Sequence, residues 1–169
     1  LGAGRTKLGI PEDGNLAGRL FVSAGLGGMS GAQGKAAEIA GAVSIIAEVD
    51  ESRIMTRYTQ GWVSAKSSDL DEVLAMTKEH MESKTPFAIA YHGNVVDLLE
   101  YLYDKGVHVD LMSDQTSCHM AYDGGYCPQG LTFEQRTDML DKDPDGFAKL
   151  VDKSLKHHYE MICKFHDKG

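Results

Sequence analysis

The strongest constraint in the sequence is a glycine-rich turn between a short apolar run and a helix-like run. This turn reads GLGGMSG at residues 25–31. A turn this tight needs residues without a Cβ atom, so that backbone N–H groups can close on a pyrophosphate at the start of a helix. Gly25 and Gly27 fit the first two glycines of the GxGxxG pattern, but Ser30 occupies the third position and Gly31 follows it. The spacing is compatible with a phosphate-binding turn and with a purely structural turn.

The residues on either side of the turn predict a βαβ unit. Residues 19–24 (RLFVSA) are apolar and rich in β-formers, which indicates a buried strand. Residues 33–41 carry small side chains suited to a helix that packs closely on a sheet. Residues 43–49 (VSIIAEV) indicate a second buried strand. Together these segments have the length of roughly 30 residues expected of such a unit.

Strand and helix patterns continue to alternate along the chain, which predicts an α/β fold with right-handed crossovers. We expect a Rossmann-like open parallel sheet flanked by helices, with a long C-terminal helix. The further elements are a helix over 70–81, a strand over 87–91, a helix from Val95 that ends at Lys105 before Gly106, and a strand over 109–113. Asp69 and Glu72 are placed as a capping box for the helix over 70–81.

Both ends of the chain differ from this alternating pattern. Residues 1–18 mix glycine, proline and charge, so we expect a lead-in arm or loop before a single domain over residues 19–169. Near the other end, Thr132 opens a short helix with a capping box. A final helix follows Pro144 and keeps helical spacing for about five turns.

The histidines do not indicate a metal site. None of the seven follows the HExxH spacing, and we expect those of the final helix, His157, His158 and His166, to be solvated. Cys118 and His119 are adjacent, and adjacent side chains usually point apart, so the pair is not favoured as a nucleophile and base. We interpret Trp62 as a core or interface anchor.

Charge and composition exclude several classes of function. The net charge of −8 disfavours binding to nucleic acid or to an anionic membrane. The longest nearly apolar run covers the 8 residues 40–47, whereas a transmembrane helix needs about 20. The 3 cysteines form no CxxC pair and no signal-peptide pattern is present, which favours a reducing, cytoplasmic location.

Polar residues follow three of the predicted strands, where parallel sheets bind ligands. Glu48 ends the second strand at the position where dinucleotide-binding folds place an acidic group for the adenosine ribose, and a carboxylate there disfavours the 2′-phosphate of NADP. Arg53 lies near enough to soften that repulsion. The alternative for Glu48 is a solvated strand end, and for Asn94, which follows the third strand, it is a helix N-cap. Tyr126 and Cys127 fit a loop that closes over a ligand or an ordinary loop with one packed aromatic.

At this level of detail the sequence closely resembles urocanase (urocanate hydratase). The resemblance spans residues 19–130 in order. It is carried by the motifs GLGGMSGAQ at 25–33, QGW at 60–62, AYHGNVVD at 90–97, SDQTS at 113–117 with His119, and GY at 125–126.

The resemblance implies a bound NAD and an unusual use of it. The family adds water to urocanate in histidine breakdown and releases imidazolonepropionate, with NAD⁺ as an electrophile rather than a hydride acceptor. Family members are typically cytosolic homodimers. The family's NAD contacts correspond here to Gly28, Met29, Ser30, Glu48, Arg53, Asn94, Val95, Gln115, Thr116, Ser117, Cys118, His119, Tyr126 and Cys127.

The resemblance also implies that this chain is only the NAD-binding domain of a larger enzyme. The chain begins with Leu1, and Cys163 does not match the context of the family's active-site cysteine. We therefore expect no catalytic residue in the chain, and we expect the remainder of the parent chain as a partner. Two alternatives come from other classes: an NAD-dependent dehydrogenase domain and a non-catalytic nucleotide-sensing module.

Overall fold

The computed structural model describes residues 1–168, which divide into two units. The first contains residues 1–92 and 108–115, and the second contains residues 93–107 and the chain from Thr116 onward. Within the described range, no helix combines the length and the apolar character needed to cross a membrane.

The first unit is built on a five-stranded parallel sheet, which confirms the predicted fold class. Its strand order is β3-β4-β2-β1-β5. The strands are β1 (Leu20–Ala24), β2 (Val43–Glu48), β3 (Ala65–Ser67), β4 (Phe87–His92) and β5 (Leu111–Met112). The helices of this unit are α1 (Gly2–Lys7), α2 (Gln33–Ile39), α3 (Glu51–Thr59) and α4 (Leu70–Glu82).

Burial explains which strands were predictable. Every residue of β1 and β2 is buried, as expected for parallel strands covered on both faces. By contrast, β3 has three residues, and its Lys66 is exposed, so it carries no apolar signal. Helix α3 was missed for a similar reason, because Ile54 is its only buried residue. Helix α1 buries no residue and lies where the sequence predicts a lead-in arm or loop.

Strand β5 is the shortest strand, and a carboxylate extends its contact with β1. Asp110 precedes the strand, and its N–H donates to the carbonyl of Leu20 at 3.1 Å. The Asp110 carboxylate accepts the N–H of Leu20 at 2.9 Å and an N–H of Arg19 at 2.8 Å. This side chain therefore continues the pairing where the backbone ladder ends.

The start of α4 corrects one sequence prediction. Asp69 is the N-cap and accepts the N–H groups of Asp71 and Glu72. However, the Glu72 side chain does not return to Asp69 and instead accepts the hydroxyl of Ser67, whose oxygen accepts the Asp69 N–H at 3.0 Å. The predicted capping box is therefore replaced by a bridge through Ser67.

The second unit consists of helices. They are α5 (Val95–Asp104), a 3₁₀ helix (Cys118–Asp123), α6 (Phe133–Lys142) and α7 (Pro144–Lys168). The capping box predicted at Thr132 is present with Gln135. The core contains Ala121, Tyr126, Phe147 and Val151.

One sequence prediction about α7 was wrong. His158 is not solvated, because it is buried beside Tyr126, and only the exposed His166 fits the expectation of a solvated surface. The hydroxyl of Tyr126 lies 3.0 Å from Oγ of Ser154. His157 is half-buried, with Nε2 at 2.7 Å from Oε1 of Glu100 on α5.

Gly34 allows α2 to approach the sheet, and this predicts a reversal of the usual effect of alanine in a helix. A Cβ atom at Gly34 would lie 2.7 Å from the carbonyl oxygen of Trp62 and 3.1 Å from Cβ of Ala88. Alanine normally stabilises a helix relative to glycine by about 1 kcal/mol. We expect Gly34→Ala instead to lower the free energy of unfolding by about 1–3 kcal/mol, because backbone must move. Urea denaturation measures this change.

The matched control is Gly28→Ala. A Cβ atom at Gly28 would meet no atom within 4 Å. This substitution should change the free energy of unfolding by no more than about 0.5 kcal/mol. Equal losses in the two variants would contradict the proposed steric limit at Gly34.

The contact between Glu100 and His157 predicts a pH-dependent contribution to stability. Its hydrogen bond with His157 lowers the pKa of the Glu100 carboxyl below the usual value of 4.5. A lowered pKa in the folded state stabilises the fold above the unfolded-state value and loses that contribution as the pH falls through the folded-state value. We therefore expect Glu100→Gln to lower stability at neutral pH by at most about 1 kcal/mol and to weaken the loss on acidification.

Urea denaturation from neutral pH to about pH 3 measures this effect. Glu79→Gln on α4 is the control, since the Glu79 side chain is exposed. An unchanged acid profile in Glu100→Gln would contradict the prediction.

Candidate functional site

The glycine turn follows β1 at the carboxyl edge of the sheet. Gly25 has a φ of +92°, a conformation that side chains with a Cβ atom rarely adopt, and its N–H donates to the carbonyl of Ala47 at 2.8 Å. The neighbouring strands β2 and β5 lie on opposite sides of β1. The turn therefore leaves the sheet where the strand order changes direction, which is where open α/β sheets bind ligands.

The carbonyl groups of the turn are occupied by side chains of the same unit. Gln33 donates through Nε2 to the carbonyls of Ala24 at 3.3 Å and Gly25 at 3.1 Å. Its Oε1 accepts the hydroxyl of Ser23 at 2.6 Å. Arg57 donates to the next two carbonyls along the turn. As a result, three consecutive carbonyl oxygens, at residues 25–27, have partners within the protein.

Four N–H groups in the middle of the turn lack the partners that these carbonyls have. Those of residues 27–30 donate no hydrogen bond to any of the described residues. Gly28 borders open space, and Met29 is 98% exposed. Ser30, at the third position of the GxGxxG pattern, is buried. Its Oγ would lie 3.0 Å from a Cβ atom at Gly25, so the serine fits because Gly25 has no Cβ atom. Consecutive free N–H groups make the turn suited to an anion.

Glu48 connects the turn to the end of β2. The residue is 6% exposed, so the alternative of a solvated strand end is wrong. Its Oε2 accepts the N–H of Leu26 at 2.8 Å, and its Oε1 accepts the N–H of Asp50 at 3.0 Å. A carboxylate can accept about four hydrogen bonds, so capacity for further donors remains.

Arg53 places positive charge beside this carboxylate. Its Nη1 lies 3.8 Å from Oε2 of Glu48, and its Nε lies 3.2 Å from Oδ2 of Asp50. Burial opposes the charged form of Asp50, but hydrogen bonds from Ser52 and the charge of Arg53 outweigh it and lower the pKa of Asp50. Arg53 is thus paired with two carboxylates.

Gln115 also lies at the glycine turn. Its carbonyl oxygen would be 3.5 Å from a Cβ atom at Gly25, and its N–H donates to the carbonyl of Ala24 at 3.3 Å. The first unit therefore brings together Gly28, Met29, Ser30, Glu48, Arg53 and Gln115 from the predicted set.

The remaining predicted residues belong to the second unit, and two of them have structural roles there. Asn94 caps α5 by accepting the N–H of Val96 at 2.9 Å, and it donates to the carbonyl of Cys127 at 2.8 Å. This confirms the N-cap alternative for Asn94. Tyr126 is 1% exposed, which matches the alternative of a packed aromatic.

The other members of this group include several exposed residues. Ser117, Cys118 and His119 are exposed at the start of the 3₁₀ helix. Val95, Thr116 and Cys127 are partly buried. Sγ of Cys127 lies 3.4 Å from the carbonyl oxygen of Leu131.

Gln33 and Arg57 were not predicted, although both hold the turn. Gln33 is part of the motif at 25–33, but the sequence pattern predicts it only as a helix residue. Arg57 follows Arg53 by one helical turn, so the two share a face of α3. Prediction of α3 would have placed Arg57 on the same side of the helix as Arg53, which lies beside Glu48.

Comparisons with known proteins agree with this arrangement. The family model of the urocanase Rossmann-like domain matches residues 2–169. The chain is 48% identical to a probable urocanate hydratase of Caenorhabditis elegans over 100% of its length and 25% of that relative. It is 45% identical to the urocanate hydratase of Mus musculus and 42% identical to that of Homo sapiens, each over 96% of this chain and 24% of the relative.

The chain thus spans about a quarter of the length of the curated relatives that it matches. The match covers nearly all of the chain, and the parallel sheet has the architecture that the family model describes. The chain therefore belongs to the urocanase family, as its Rossmann-like domain.

Proposed function

We propose that this chain is the NAD-binding domain of a urocanate hydratase. The observation that carries the proposal is the glycine turn, where the carbonyls of residues 25–27 are occupied and the N–H groups of residues 27–30 donate to none of the described residues. The turn follows β1, where the strand order of the parallel sheet changes direction. The matching family model describes a Rossmann-like domain. Dinucleotide-binding folds use this position for the pyrophosphate.

The residues of the turn fit a diphosphate. Free N–H groups supply hydrogen bonds to phosphate oxygens, and the open space at Gly28 lets the backbone approach without a Cβ atom. Glu48 has remaining acceptor capacity for ribose hydroxyls, and Arg53 stands beside it. Gly28, Met29, Ser30, Glu48, Arg53 and Gln115 would hold this part of the cofactor.

The other contacts taken from the resemblance stay predictions. Asn94 and Tyr126 already have partners that explain their presence, so a role toward NAD would be additional. The remaining positions in this group are Val95, Thr116, Ser117, Cys118, His119 and Cys127.

In the whole enzyme, the proposed reaction is the addition of water to urocanate to give imidazolonepropionate in histidine breakdown. NAD⁺ supplies an electrophilic nicotinamide ring. This chain contributes binding and orientation, and the catalytic groups come from the remainder of the parent chain. We further propose a cytoplasmic homodimer for the full enzyme.

The first test compares NAD with NADP. Glu48 places a carboxylate at the proposed ribose site, and like charges disfavour a 2′-phosphate there. We expect the chain to bind NAD at least about tenfold more tightly than NADP. Glu48→Gln should reduce the ratio of NAD affinity to NADP affinity. It should also weaken the binding of both ligands, because the Glu48 carboxylate holds the turn through Leu26. Isothermal titration calorimetry measures the four affinities.

Glu51→Gln is the matched control, since Glu51 is exposed at the start of α3. Its ratio of NAD to NADP affinity should equal that of the unmodified chain. Absence of NAD binding, both by calorimetry and by native mass spectrometry of the purified chain, would contradict the proposed function.

The second test concerns catalysis. The chain covers about a quarter of its relatives and is expected to lack the catalytic groups, so the isolated chain should not consume urocanate even with saturating NAD. Loss of urocanate absorbance on addition of the chain would contradict this. Formation of NADH from any substrate would instead support the dehydrogenase alternative.

A further inference from the structure

We propose that Arg57 is a positioning residue that holds the glycine turn with its N–H groups free for the diphosphate. This inference rests on the proposed function. Arg57 lies on α3 and was not among the predicted cofactor contacts. Its Nε donates to the carbonyl of Leu26 at 3.0 Å, and its Nη2 donates to the carbonyl of Gly27 at 2.8 Å.

The two hydrogen bonds fix two consecutive peptide groups with one rigid guanidinium. The N–H donors of a guanidinium lie in one plane, so the two accepting carbonyl oxygens must lie close to that plane. Leu26 is held from its other side as well, because its N–H donates to Glu48 at 2.8 Å. The carbonyl of Gly27 also accepts the N–H of Gly31 at 2.8 Å. With these carbonyls occupied, the turn cannot present them to a phosphate.

Gly31 supports this assignment independently. Its φ is not in the left-handed region, so backbone conformation does not explain the glycine. A Cβ atom at Gly31 would lie 2.5 Å from Cζ and 2.7 Å from Nη2 of Arg57. The absence of a side chain at Gly31 therefore makes room for the guanidinium.

The QGW motif at residues 60–62 has a place in the same arrangement. Oε1 of Gln60 accepts Nη1 of Arg57 at 2.8 Å, and Cζ of Arg57 lies 4.9 Å from the centre of the Trp62 ring. Gly61 has a φ of +67°, which lets the chain reverse after α3 and bring the ring back over the arginine. All three residues of the motif thus support the guanidinium.

The charge of Arg57 is not neutralised by a carboxylate. Among residues 1–168, no ion pair involves Arg57, whereas Arg53 is paired with Glu48 and Asp50. A guanidinium stays protonated in proteins. Arg57 therefore both occupies the carbonyl dipoles that would repel a phosphate and adds positive potential at the turn.

The test uses Arg57→Met and Arg57→Lys in this chain. Binding of NAD and of ADP, which shares the diphosphate, is measured by calorimetry. Loss of the fork should weaken both ligands by about 10- to 100-fold. Lysine keeps the charge but cannot hold two carbonyls in one plane, so it should restore only a minor part of the affinity.

A double-substitution cycle separates positioning from general destabilisation. Gly31→Ala should displace the guanidinium and weaken NAD binding about as much as Arg57→Met. In the Arg57→Met background it should add little, because no guanidinium remains to be displaced and the flexible methionine side chain can move away from the added Cβ atom. The proposal would be overturned if the double variant lost NAD affinity by the product of the two single losses. It would also be overturned if Arg57→Met left the affinities for NAD and ADP unchanged.

A ligand-free measurement keeps this inference distinct from the proposed function. NMR-detected hydrogen exchange of the Leu26 and Gly31 N–H groups should accelerate in Arg57→Met, while that of Ile45 in β2 stays unchanged. Arg5→Met is the matched control, because Nη1 of Arg5 also donates to two carbonyls, those of Glu12 and Gly14 at 3.0 and 3.1 Å. Unchanged exchange at the turn would overturn the role of Arg57, whereas failure of the unmodified chain to bind NAD or ADP would overturn the proposed function.

Discussion

The arrangement of the candidate site depends on the carboxylate of Glu48. Each of its oxygens accepts a backbone N–H, one from Leu26 in the turn after β1 and one from Asp50 in the turn after β2. Buried backbone N–H groups need partners, and here one side chain supplies partners for two loops. The positions of α3, and of the arginines that it carries, follow from this link. A single residue at the end of β2 thus joins the two loops on which the proposed phosphate and ribose contacts lie.

Long, apolar elements were predictable from the sequence, and short, exposed ones were not. Strand β2 was predicted within one residue of its end, because all its residues are buried. Strand β3 was missed because it has three residues and none of them is buried, and its place is set by pairing with β4. Helix α3 was missed because its side chains are mostly exposed, and its start is set by Asp50 as N-cap. Helix α1 forms from a segment rich in glycine, which no local propensity would indicate.

The site was predicted less completely than the fold, because motif spacing identifies positions but not the roles of side chains. Residues 25–31 were recognised as a phosphate-type turn, yet Gly31 serves a neighbouring side chain rather than the backbone. Similarly, the sequence leaves two interpretations open for Tyr126, and its burial and the 3.0 Å contact of its hydroxyl with Oγ of Ser154 match the packed aromatic. Contacts of this kind join residues about 30 positions apart, so periodicity along the chain does not reveal them.

The late position of β5 in the chain affects how this domain is made on the ribosome. One edge of β1 is closed only by residues 110–112, which follow the other four strands. During synthesis that edge stays available for pairing until about two thirds of the chain has left the exit tunnel. An early β1 with an open edge can pair with the wrong strand. The edge closes when β5 arrives, and Asp110 then accepts the N–H of Leu20 at 2.9 Å and an N–H of Arg19 at 2.8 Å, so the last strand to be made is fastened to β1 by a side chain as well as by the backbone.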